Sequence, residues 1–198
     1  MGQWLAWGIA FVVGSSFLAR RASASVARGM DPKGSAPNEE RQRLIMSKIR
    51  QASTRVGLPH YIALATAQSE SRQRHLEPTG AGKGETFYPF GIQKNRGADI
   101  VNRVMRTNYT WDDPRLETVL ADLDANIELG VDELLRGYKR HGDDHERVRM
   151  FWVYPAAARA GRPFPSVTGS VNTAHRLKRW NEHVAMFGGP PGRSAGVA

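Results

Sequence analysis

"GLPHYIALATAQSES", residues 57 to 71, is an apolar helical run that ends on a carboxylate, Glu70. Gly57 and Pro59 interrupt the pattern before it, so the run reads as a helix of its own. Residues three, four and seven positions before Glu70 share its face, and these are Ala67, Thr66 and Ala63. That face is small and mostly apolar. Glu70 is therefore expected to enter a tight, partly dry place, where desolvation favours the protonated, proton-donating carboxyl form. The competing reading is an exposed helix end, with Arg72 or Arg74 balancing the charge.

Helical periodicity extends to either side. Ile45, Ile49, Ala52 and Val56 stand at helical spacing before Gly57. Downstream, Asp113 and Pro114 read as the cap and first turn of one long helix. Its stripe runs through Leu116, Leu120, Leu123, Ile127, Gly130 and Leu134, in steps of four and three, and predicts a deeply packed spine. A last helix is expected from about Ser170, with Val171, Ala174, Leu177, Trp180, Val184 and Phe187 on its core face. No stretch alternates strictly, so the fold class is mainly α, with at most a small β-hairpin in the Gly-rich segment 76 to 93.

Composition narrows the chemistry. The 198 residues suffice for one well-cored domain plus appendages. With no cysteine, disulfides, thiol nucleophiles and thiolate metal sites are excluded. A formal charge of +9 draws the surface to polyanions: nucleic acid, anionic lipid, or a bacterial wall with its carboxylates and phosphates. "RHGDDHER", residues 140 to 147, holds two histidines and two aspartates but matches no helical zinc motif, and reads as a polar loop between helices. No metal and no cofactor are expected. "RLKRW", 176 to 180, reads as the solvated side of the last helix, able to rest on an anionic wall or on nucleic acid without sequence preference.

Four pieces between about 40 and 185 resemble, in order, the soluble-lytic-transglycosylase-like domains, which are similar to goose-type lysozyme and cleave peptidoglycan glycan. "GLPHYIALATAQSES" resembles the helix ending in a Glu-Ser pair; "YPFGIQ" (88 to 93) the Gly-aliphatic-Met/Phe-Gln segment; "ANIELGVDELL" (125 to 135) the Asn-Ile-x-x-Gly helix; and "FWVYPAAARAG" (151 to 161) the Ala-Tyr-Asn-x-Gly segment. Two positions depart from the family pattern. Gly91 stands one residue closer to the glutamine, and Pro155 replaces the asparagine.

The resemblance implies a lysozyme-like helical domain in which Glu70 is the catalytic acid and Ser71, Gln93, Tyr154 and Asn126 contact substrate, Asn126 in a largely structural capacity. Most glycosidases flank the scissile bond with two carboxylates. The family pattern implies one, with the substrate's acetamido group or its C6 hydroxyl replacing water, and hence a 1,6-anhydro product. Should water compete, Glu85 or Asp99 is the acidic partner that the loops could bring in. The partner expected is the peptidoglycan glycan strand.

The expected layout is a hydrophobic anchor or signal-like segment at 1–21, a flexible linker at 22–40, the catalytic domain at 41–187 and a disordered tail at 188–198. "MGQWLAWGIAFVVGSSFLARR" carries no charge before Arg20, which favours a retained membrane helix through residues 4–19 over a cleaved signal, although "ASA" at 22 to 24 resembles a cleavage site. The arginines after the apolar run would hold the domain on the cytoplasmic side. Such a protein suits a virion's internal membrane, opening the wall during genome entry beside other virion proteins. The rival setting is the inner membrane and periplasm, within an envelope-spanning secretion machine of opposite topology. Two other readings are a weakly active or inactive peptidoglycan-docking protein and a membrane-tethered basic DNA-binding protein.

Overall fold

A computed structural model describes residues 30–32, 34–36, 38–156 and 173–190. The expected anchor at 1–21, most of the tail and the start of the last helix at Ser170 and Val171 lie outside them. Among the described residues no helix is long and apolar enough to cross a membrane.

Local chemistry sets the first two helices. The Asn38 side chain accepts a hydrogen bond from the Arg41 amide, and Glu39 and Glu40 face the positive end of α1 (Glu39–Val56). Gly57 ends it at φ 74°, a conformation that glycine adopts without a Cβ clash. Ile45, Ile49 and Ala52 are buried as expected, whereas Val56 is exposed on the last turn. In α2 (His60–Ser71) Ile62 through Ala67 are all buried, so this helix is buried all round instead of showing one apolar stripe.

The segment 22–40, expected as a flexible linker, has its distal end on the domain. Asp31 forms a parallel bridge with Leu76, its amide donates to the His75 carbonyl at 2.7 Å, and its carboxylate meets Arg41 at 3.4 Å. Arg74 adds a hydrogen bond to the Ser35 carbonyl.

After α2 the chain makes a short 3-10 turn at Gly82–Gly84 and one antiparallel hairpin, β1 (Thr86–Phe87) and β2 (Ile92–Gln93), inside the segment where a hairpin was expected. The Tyr88–Pro89 bond in its turn is cis. Helix α3 (Lys94–Met105) follows directly.

The single long helix expected from Asp113 is two helices, α4 (Pro114–Ala121) and α5 (Leu123–His141). The break is Asp122, whose backbone turns extended (φ −70°, ψ 127°) while its side chain accepts from the Ala125 amide. An aspartate can end one helix and cap the next because its short acceptor satisfies an otherwise orphaned N–H. The stripe survives the break, since Leu116, Leu120, Ile127 and Leu134 are all buried. Helices α6 (His145–Val153) and α7 (Thr173–Met186) complete the described fold. Trp180 and Val184 are buried on the α7 side facing α2, while Leu177 and Phe187 are half-buried.

The hairpin is locked onto α5 by two contacts. The buried Asn126 side chain accepts from the Phe90 amide at 3.2 Å and donates to the Leu120 carbonyl at 3.0 Å, tying hairpin, α4 and α5 together. The Phe90 ring lies on the bare backbone of Gly130, where a Cβ would stand 2.4 Å from it. Gly130→Ala should therefore cost at least about 1–3 kcal/mol by overpacking. Denaturant unfolding checks this, and wild-type stability would show that the ring does not rest on the helix.

Candidate active site

Glu70 occupies the penultimate position of α2 and reaches the wall of a cavity of about 440 Å³ between the end of α2, the hairpin, α6 and α7. Its helical neighbours Ala63, Thr66 and Ala67 are buried, as their spacing predicts. The carboxylate end departs from the dry, apolar expectation. Its Oε1 accepts from Arg149 Nη2 of α6 at 2.9 Å, and the side chain keeps 28% of its exposure. The balancing cation is thus neither Arg72, which is exposed, nor Arg74, which is bonded to the Ser71 and Ser35 carbonyls.

On the other flank the carboxylate touches Gly91. A Cβ at that residue would lie 2.9 Å from Glu70 Oε2, and its φ of +68° disfavours any L side chain. The hairpin register places Gln93 opposite Thr86, and both line the cavity. Trp152 and Val153 of α6 form part of the wall.

The resemblance-derived residues separate into two groups. Glu70 and Gln93 share the cavity. Ser71 and Tyr154 do not line it. Ser71 is buried and donates to the Ala67 carbonyl while accepting from the Arg74 amide, so it ties off the helix end. Tyr154 closes α6, its amide donating to the Met150 carbonyl. Asn126 is fully buried behind the hairpin, in the structural capacity expected of it. The acidic partners that hydrolysis would recruit are also outside: Glu85 is paired with Lys94, and Asp99 is exposed. Among the described residues Glu70 is the one carboxylate lining the cavity.

Several cavity residues were not singled out from the sequence. Ser69, not Ser71, is the serine in the wall; its hydroxyl donates to the Ala65 carbonyl at 2.8 Å and lies 2.9 Å from His183 Nδ1. A hydroxyl has one proton. With that proton on Ala65, the ring must donate through Nδ1–H, and Nε2 is left as the acceptor. Burial pushes the His183 pKa down, and the nearby Arg179 adds to the shift. Arg176 and Arg179 belong to the "RLKRW" stretch read as a solvated face; both are exposed, yet both line the cavity. Arg149 and Trp152 could have been paired by their i, i+3 spacing on one helix face.

The His-Asp loop supports helix structure. Asp144 caps α6 through the Arg147 amide, and His145 is buried between the rings of Tyr61 and Trp180. Among the described residues no group of His, Asp and Glu could hold a metal ion.

Comparison with protein-family models, curated proteins and solved structures finds no match to this chain.

Gly91→Ala tests the close approach at the carboxylate. The added methyl should lower stability by about 1–3 kcal/mol and displace the Glu70 side chain. Thermal melting together with a crystal structure of the variant checks both. An unshifted carboxylate at unchanged stability would contradict the contact.

Proposed function

We propose that this chain cleaves the β-1,4 glycan of peptidoglycan between MurNAc and GlcNAc by a lytic transglycosylase reaction, with Glu70 as its single acid and base. The observation that carries the reading is the solitary carboxylate, set at the wall of a cavity and fitted against a glycine, with Gln93 on the same wall. The order of the Glu-Ser, Gly-Ile-Gln and Asn-Ile-x-x-Gly pieces supports a lysozyme-like fold for the domain.

In this reaction protonated Glu70 donates to the leaving O4 as the C1–O4 bond breaks. The acetamido group supports the positive charge developing at C1. The same sugar's C6 hydroxyl then bonds to C1 and returns its proton to Glu70, so no water is consumed. An intramolecular hydroxyl competes well because its effective concentration is high, and among the described residues no second carboxylate lines the cavity to activate water. Gln93 and Trp152 orient the sugar. The protein is placed at a membrane by residues 1–21 and opens the wall locally, at a virion's internal membrane or in an envelope-spanning machine.

A second reading, a wall-docking protein with little activity, is favoured by the Arg149–Glu70 ion pair. Arg149 holds Oε1 of that carboxylate, an oxygen that the leaving group would otherwise meet.

Glu70→Gln keeps the side chain's shape and removes the proton. Clearing of purified peptidoglycan in a zymogram should be lost, about a hundredfold or more, with melting little changed. Wild-type clearing by the variant would overturn the assignment of Glu70. Mass spectrometry of the wild-type digest should show muropeptides lighter by one water that resist borohydride. Reducible ends as the main product would mean hydrolysis, and binding without any product would establish the docking reading.

A further inference from the structure

The cavity's charge does not match a neutral sugar. Four arginines line it, Arg96, Arg149, Arg176 and Arg179, against the single carboxylate of Glu70. Two of the four are committed. Arg96 reaches the buried Glu133 and the Trp152 carbonyl and stacks on the Trp152 ring, and Arg149 pairs with Glu70. Arg176 and Arg179 form no ion pair among the described residues. They are three residues apart on α7, with His183 four further on, and all three line the cavity, whereas Trp180 and Val184 turn into the core.

Cations gathered in a concave wall focus a positive field that raises the local concentration of anions. Arg149 adds a second sign. Its Nη2 binds Glu70, but its Nη1 is buried with no hydrogen-bond partner among the described residues. A buried donor left unmade costs stability, and an incoming oxyanion would supply the missing acceptor. Guanidinium groups suit such a ligand because their planar fork meets two oxygens at once.

We infer that the α7 side of the cavity is an oxyanion subsite, in which Arg176 and Arg179, with Arg149 behind them, hold a carboxylate or phosphate substituent of the glycan strand beside the bond facing Glu70. The inference rests on the glycan-cleaving reading of the same cavity and adds a substrate class to it: glycan still carrying its acidic substituents is preferred over bare glycan. Arg176 and Arg179 are specificity-determining residues here, not catalytic ones. Neutral His183 can add a hydrogen bond but no charge.

The test separates recognition from cleavage. Full-length protein carrying Glu70→Gln is sedimented with purified peptidoglycan sacculi that are intact, coupled by carbodiimide to methylamine so that their carboxylates become neutral amides, acid-treated to remove phosphate polymers, or treated both ways. Adding Arg176→Gln and Arg179→Gln should weaken binding to intact sacculi roughly tenfold or more, down to the level seen on doubly treated sacculi. The control pair Arg50→Gln and Arg106→Gln removes the same charge from exposed residues outside the cavity, and should leave binding near that of the Glu70→Gln parent. Loss after amidation identifies a carboxylate, and loss after acid a phosphate. Equal binding to all four preparations, equal loss in the control pair, or no binding to any sacculi would overturn the subsite. Product analysis of the chain with Glu70 intact is scored apart: a chain that discriminates among sacculi but releases no fragments defeats the glycosidase reading alone.

Discussion

The contact between the Phe90 ring and the bare backbone of Gly130 is the one on which the site depends. The hairpin has only two residue pairs in register, too few to hold a position by ladder bonds alone. Asn126 fixes the Phe90 amide, Gly130 leaves room for the ring, and the next residue, Gly91, is thereby set against Glu70. Two further glycines allow close packing. Gly97 admits the Leu120 side chain between α3 and α4, and Gly137 lies against Phe151 where α5 meets α6. The catalytic geometry proposed here is thus a consequence of how closely a loop can approach a helix, a matter of missing Cβ atoms more than of polar bonds.

Electrostatics then determine which side chains reach the cavity. Glu133 is 5% exposed and is met by Arg96, Arg103 and Arg136 at 3.4, 2.8 and 2.8 Å. A buried carboxylate without partners would be costly. With three guanidiniums around it the charge is over-compensated, and Arg96 is held over Trp152, so part of the cavity wall is built from the far side of α5. This network orients α3 against α5 and stiffens the floor beneath the candidate site.

Much of the helical layout was legible because it follows from spacing and caps: Gly57, Asp113 and the stripe from Leu116 to Leu134 behave as their residue types predict, whereas the Asn38 cap was hidden in a segment read as linker. The single long helix was misread because an apolar stripe says nothing of a one-residue break, and only the capping preference of Asp122 could have signalled it. Glu70 and Gln93, singled out through motif order, both line the cavity, whereas Asn126, singled out through the helix it marks, is buried behind the hairpin. Ser71 and Tyr154 were placed by resemblance to the Glu-Ser and Ala-Tyr-Asn-x-Gly segments; Ser69 and Trp152, each two residues earlier and so turned to nearly the opposite side, reach the cavity instead. Arg149 lies 79 residues from its partner Glu70, beyond the reach of any local pattern. Arg176 and Arg179 were read as solvated charge because a single helix shows which face is polar, not what that face confronts.

The ion pair that weighs against a simple proton donor also suggests how the two proposed roles combine. Arg149 Nη2 donates to Glu70 Oε1, and Arg149 retains one buried N–H group without an acceptor among the described residues. An oxyanion arriving on the α7 side competes for that guanidinium. In the proposed reaction, turning Arg149 toward the anion would satisfy the idle donor, loosen its hold on the carboxylate, and leave Glu70 beside a sugar that has displaced water. Desolvation without a cationic partner is the condition under which a carboxyl group keeps its proton. Recognition of the acidic substituent and arming of the acid would then be one event, and a bare sugar, lacking the anion, would leave the pair closed.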